Sequence, residues 1–122
     1  MTPRLFKYRV WHIPSKHMHY SELGNLVITH TIMGDSTGIM VNKRLQAREN
    51  VIIELWSLLY DVKGTKIYEG DIVQFGENKG TVVFDYDGFQ VEYIGDGNQS
   101  PTYKRLSSIY QPLIIGNIHE EQ

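Results

Sequence analysis

Three histidines, His12, His17 and His19, fall within eight positions of the segment KYRVWHIPSKHMHY. On an extended strand, residues two apart project to the same side, so His17 and His19 share a face at the spacing with which two imidazoles hold one metal ion. A third ligand requires His12, Glu22 or His30 to fold over them. An HxH pair without it is the pattern of surface imidazoles, and the expectation is no metal and no other cofactor. Glu69 and Asp71 flank Gly70 and have the composition of an acid/base pair. No nucleophile accompanies them, so Glu69, Gly70 and Asp71 read as a structural turn and the chain as a non-enzyme without catalytic residues. The chain has no cysteine, which removes thiol nucleophiles, disulfides and Cys-ligated zinc together. Asp85-Tyr-Asp87-Gly and Asp96-Gly-Asn98-Gln-Ser100 fail as calcium loops, because their later positions lack the required oxygen ligands and glycine. The remaining candidate is a basic and aromatic N-terminus, in which Arg4, Lys7 and Arg9 offer cations to phosphate and Trp11 a ring to an unpaired base. Against it stands the alternation of Phe6, Tyr8 and Val10 with Lys7 and Arg9, which reads as a core face backed by a solvated one.

The elements that must position these residues are strands. A chain of 122 residues, 41% hydrophobic and 21% charged, is sized for one domain, residues 1–122, with a single core. Leu5 to Trp11 alternates as a half-buried strand, and Leu26 to Met33 forms a hairpin with Ile39 to Val41 around a Gly-Asp-Ser-Thr-Gly turn. Asn42 to Asn50 admits a short helical turn, and VIIELWSLLY is compatible with either helix or strand. Beyond Tyr60, eight of the eleven glycines punctuate short apolar runs, the signature of tightly turned β-structure. Strands are expected at Lys66 to Tyr68, Ile72 to Phe75, Thr81 to Tyr86 and Phe89 to Ile94, with Asp87-Gly88 as a two-residue hairpin turn. One or two helical turns at YKRLSSIY and a last strand from Leu113 to His119 complete the reading. The fold class is all-β, admitting one short helix: a small SH3-like barrel from about residue 61 onward, completed by the N-terminal strands packed against it. Ile72, Val82, Phe84 and Val91 are expected to face its interior.

Three blocks of this sequence resemble the YopX family of phage and prophage proteins. They are KYRVWHIPSKHM (Lys7 to Met18), LYDVKGTKIYEGDIV (Leu59 to Val73) and IIGNIHEEQ (Ile114 to Gln122). The second, a Lys-Gly turn followed by Ile-Tyr-Glu-Gly-Asp-Ile-Val, is the most recognisable. The resemblance implies an all-β fold and a phage or mobile-element origin, and it brings no established activity, cofactor or catalytic residue.

Charge narrows the functional reading. The net charge of -2 conceals a split: residues 1–60 carry seven Lys/Arg against four Asp/Glu (+3), and residues 61–122 carry five against ten (-5). No apolar run approaches the roughly 20 residues of a membrane-spanning helix, and the basic N-terminus lacks the apolar stretch of a signal peptide. The expectation is a cytoplasmic protein of the bacterial host cell with no membrane partner. It acts as an interaction module, as a homo-oligomer, on an unknown phage or host protein, with weak nucleic-acid binding through Arg4, Lys7, Arg9 and Trp11 as the alternative.

Overall fold

In a computed structural model, residues 7–21, 26–30, 37–41, 44–46, 48–85, 88–95 and 100–120 are described. The chain divides into two compact units, Met1–Leu55 and Trp56–Gln122. Both are built from antiparallel strands, so the fold is all-β.

In the first unit, β1 (Tyr8–His12) and β2 (His17–Tyr20) form a hairpin in which Trp11 faces Met18 and His12 faces His17. The connection is Ile13 to Lys16, closed by the Lys16 N–H on the Ile13 carbonyl, with Lys16 at a φ of 54°. The other side of β1 pairs with the first half of β6 (Val51–Tyr60), register Tyr8 to Leu55 through His12 to Val51. Between them in sequence lie β3 (Leu26–His30), β4 (Thr37–Val41) and β5 (Arg44–Gln46), a three-stranded sheet in that order, followed by a 3-10 turn at Arg48–Asn50. The anticipated hairpin is thus β3 with β4, and the helical turn shrinks to three residues. VIIELWSLLY resolves as strand: its β-branched start fits a pleated surface paired on β1.

Tyr8 and Val10 take the core face expected of β1, but the solvation expected of Arg9 is overturned: Tyr8, Arg9 and Val10 are buried in succession at 8%, 3% and 0% exposure. Tyr8 and Val10 pack with Val51 and Leu55. Arg9 points to the opposite face, where its Nε donates to Oε1 of Glu54 at 2.7 Å, and both side chains are buried. A charge can leave water there because its partner leaves with it.

The second unit carries β7 (Lys66–Tyr68), β8 (Asp71–Phe75), β9 (Asn78–Asp85), β10 (Gly88–Tyr93), β11 (Thr102–Arg105) and β12 (Leu113–Asn117), with a 3-10 turn at Leu106–Ser108. Five of these form one sheet in the order β11-β10-β9-β8-β12. The segment YKRLSSIY, expected to form one or two helical turns, divides: Tyr103 to Arg105 belong to β11 and pair onto β10, and Leu106–Ser108 form a single 3-10 turn. Ile67, Val73, Phe75, Val82, Val91, Leu106 and Ile109 make the core, joined by Leu59, Phe89, Tyr93 and Ile114 at its margin. Val82 and Val91, directly paired, are buried as expected. Ile72 is only half-buried and Phe84 is 51% exposed, which corrects the other two interior assignments. On β8 the parity is set by Asp71, whose carboxylate turns inward; with period two this sends Val73 and Phe75 to the core and Ile72 to the other face. Phe84 sits at the turn end of the β9–β10 hairpin, opposite Phe89 with ring centroids 4.7 Å apart.

Candidate functional site

The Glu-Gly-Asp segment shows how this sequence builds a turn. Gly70 is buried at a φ of 90°, a conformation an L side chain resists. Its N–H donates to the Val82 carbonyl at 2.8 Å, and its own carbonyl accepts from Ile118 at 2.9 Å. Oδ2 of Asp71 accepts the Tyr68 N–H at 2.8 Å, and Asp71 is 2% exposed. Gly70 and Asp71 thus tie β7, β8, β9 and the end of β12 together, and Asp71 points into protein, not toward a substrate. Asp61, within the Leu59 to Val73 block and just ahead of its Lys-Gly turn, is a second tether of this kind. Its Oδ1 accepts from Lys63 and Thr65, each at 2.9 Å, and its Oδ2 from Ile114 at 3.1 Å, joining the Lys-Gly turn to β12. Burial acts to raise its pKa, but the N–H groups of Thr65, Ile114 and Lys63, with the Lys63 cation, outweigh it and hold the carboxyl below its ordinary value. The signal in sequence was the spacing Asp61-Val-Lys63-Gly64-Thr65, an aspartate bonding the backbone two and four residues on.

The second unit carries an open groove of about 830 Å³ between the start of β9, the end of β10 and β12. Its apolar walls include Ile72, Ile94 and Ile115, the last two 60% and 46% exposed. Its charged lining is Glu77, Glu92 and Glu120 against Lys79. Ile115 sits at an irregularity of β12, where the register shifts between Ile114 and Gly116. Glu120 is held by the Asn117 N–H on its Oε1 at 3.0 Å. Glu92 accepts a hydrogen bond from the Tyr103 hydroxyl at 3.2 Å, and that bond to a carboxylate raises the Tyr103 pKa. No sequence motif pointed to a groove, since the lining comes from Ile72, the start of β9, the end of β10, Pro101 and the stretch from Ile115 to Glu120.

The N-terminal candidates separate. Arg4 lies outside the described residues. Lys7 and Trp11 are half-buried, and Arg9 is buried on Glu54, which corrects its assignment as a phosphate contact: the guanidinium that was to meet nucleic acid is committed inside the protein. The structure does bring the histidines together. His17 and His19 have ring centroids 5.0 Å apart, and His12 stands 6.5 Å from His19. Nδ1 of His12 lies 2.7 Å from the Ser15 hydroxyl. Partial burial, with the nearby His17 and His19's other neighbour His12, lowers the His19 pKa. Among the described residues, no group of three or more His, Asp or Glu side chains could hold a metal ion.

A family model described as YopX protein matches residues 7–122, nearly the whole chain. The chain belongs to the YopX family. Among solved structures, it is similar to protein EF1440 from Enterococcus faecalis, with 19% identity over 94% of each chain and a TM-score of 0.46. No curated protein matches it. No helix among the described residues is long and apolar enough to cross a membrane.

Proposed function

We propose that this YopX-family protein is a non-enzymatic accessory protein of phage or prophage origin, acting in the bacterial cytoplasm through protein-protein contact and assembling with copies of itself. The groove of the second unit is the observation that carries the reading. Exposed Ile94 and Ile115 give it apolar walls, and three glutamates against one lysine make its charged lining acidic. Apolar side chains grouped inside a charged rim are the composition of a contact surface, with the walls supplying affinity and the rim selecting the partner. Residues 1–55 carry seven Lys/Arg against four Asp/Glu, and this net positive charge on a second copy is what an acidic rim attracts. Such a head-to-tail contact joins two different patches and builds rings or chains of subunits. Nucleic-acid binding has weaker support, because it must proceed without Arg9.

Sedimentation velocity over a wide concentration range tests the proposal. The expected result is mass-action association in the wild type and a monomer in the paired Ile94→Asp and Ile115→Asp variant. A wild type that stays monomeric throughout overturns self-association. Capture of a nuclease-resistant phage or host protein that the same variant no longer binds would then keep the groove but reassign its occupant.

A further inference from the structure

The turn between β1 and β2 carries an apolar side chain and a cation into solvent together. Every residue from Ile13 to His17 is exposed, Ile13 by 42%. The backbone beneath them is held in one shape. The Ile13 N–H donates to the Asn50 carbonyl at 2.8 Å, the Lys16 N–H donates to the Ile13 carbonyl at 3.3 Å, and Nδ1 of His12 lies 2.7 Å from the Ser15 hydroxyl. Pro14 fixes its own φ and narrows the choices of Ile13 before it. Lys16 stands at a φ of 54°, in the left-handed region that a β-carbon disfavours and glycine occupies freely. Glycine would make this turn with less strain, so the lysine is explained by what its charge meets and not by the turn itself.

We propose that this turn of one copy seats in the groove of a second copy, with Ile13 against Ile94 and Ile115 and Lys16 against the glutamates. The inference rests on the groove being the self-association surface, and it names the segment that fills it. The two surfaces are complementary in both respects that matter. Ile94 and Ile115 are exposed apolar walls for an exposed isoleucine, and Glu77, Glu92 and Glu120 outnumber Lys79 where a cation arrives. Two of these carboxylates are already placed, Glu92 by the Tyr103 hydroxyl and Glu120 by the Asn117 N–H. The groove of about 830 Å³ lies within the roughly 300–1,000 Å³ of sites that enclose a drug-sized ligand, which is the scale of a four-residue turn. A turn fixed by three contacts of its own loses little freedom on docking, so the apolar and charged contacts are not spent on ordering it. Turn and groove are different patches, so the contact is head-to-tail and every copy offers one of each.

Mixing two variants tests the pairing of turn with groove. Ile13→Asp disables the turn and leaves the groove, whereas Ile94→Asp with Ile115→Asp disables the groove and leaves the turn. In sedimentation velocity each is expected to be monomeric alone where the wild type associates, with Ile13→Asp weakening association by at least about thirtyfold. The two together should form a one-to-one dimer and nothing larger, because a single intact contact remains between them. Lys16→Gly separates binding from folding. Glycine relieves the φ of 54°, so the melting temperature should equal or exceed that of the wild type, while self-association weakens by about fivefold and loses part of its salt dependence. Ile13→Asp and Lys16→Gly proteins that associate as the wild type does, beside a monomeric groove variant, overturn the turn as occupant and leave the groove contact standing. A mixture that stays monomeric while the wild type associates overturns the pairing of turn with groove. A wild type that is monomeric at every concentration overturns the groove contact itself and the turn's part in it.

Discussion

A single carboxylate can organise more of this protein than any candidate catalytic residue does. Asp61 links the Lys-Gly turn to β12 through three backbone N–H groups, and its Ala variant leaves them to find water or go unpaired. The expected loss is about 1 to 3 kcal/mol, read as a lower urea midpoint at unchanged slope. Its pH dependence has a definite sign. A folded-state pKa below the ordinary value means the contribution is in place above about pH 4, where the unfolded carboxyl is already ionised, and is lost as pH falls through the folded value. The wild type should thus lose stability in that acid window, and Asp61→Asn should lose less, as followed by urea melts between neutral and acid pH. The Arg9–Glu54 pair follows different logic, because both groups are buried. Glu54→Ala strands a guanidinium inside the protein and is expected to cost about 3 to 5 kcal/mol, whereas replacing both residues, Arg9→Met with Glu54→Leu, costs less than either truncation. A double-mutant cycle in urea checks this, and additive losses would show that the two side chains do not act as a pair.

At the scale of elements, close approach of strands limits substitution more than turn geometry does. A Cβ on Gly80 would lie 2.7 Å from both Val91 Cγ1 and Tyr93 Cβ, and nearer still to the Glu92 carbonyl oxygen. That backbone belongs to the β9–β10 ladder and cannot yield without parting the strands, so Gly80→Ala is expected to cost about 1 to 3 kcal/mol. Gly88→Ala, with no atom near its missing Cβ, bears only the penalty of its φ of 95° and should cost less. Thermal melts of the two variants check the order. The β9–β10 register, expected around Asp87-Gly88, is instead set by Gly88 opposite Asp85, but strands such as these were legible in sequence because they announce themselves locally: the Gly-rich punctuation and the Glu-Gly-Asp turn are written within a few residues. Which face of a strand turns inward was not. On β8 Asp71, Val73 and Phe75 turn inward, Asp71 accepting the Tyr68 N–H, so an apolar reading centred on Ile72 fell on the wrong parity. The burial of Arg9 was hidden for a similar reason, since its partner Glu54 is 45 residues away. The groove was illegible because its lining is assembled from separated strands, and the histidine cluster was half-legible: His17 and His19 were paired by spacing, and His12 joined them only through strand pairing.

The whole molecule is electrically divided along the same line as its two compact units. Residues 56–60 carry no charge, so Met1–Leu55 holds the full excess of +3 and Trp56–Gln122 the full excess of -5. Opposite excesses of this kind let one copy's acidic groove attract another's basic unit, and the attraction acts over the screening length of the solution. That length shrinks from about 14 Å at about 50 mM salt to about 4 Å at about 500 mM, following the inverse square root of ionic strength. Rim charges set encounter and partner choice while the isoleucines set residence, so the two contributions separate experimentally. Raising the salt across that range should weaken self-association of the wild type. Glu77→Lys with Glu92→Lys, which reverses the rim, should associate more weakly at low salt and lose most of the salt dependence. Ile94→Asp with Ile115→Asp should be monomeric at every salt concentration. Sedimentation of the three proteins across one salt series decides the matter: association that strengthens with salt, or a reversed rim that associates as the wild type does, would show that the charge division plays no part in assembly.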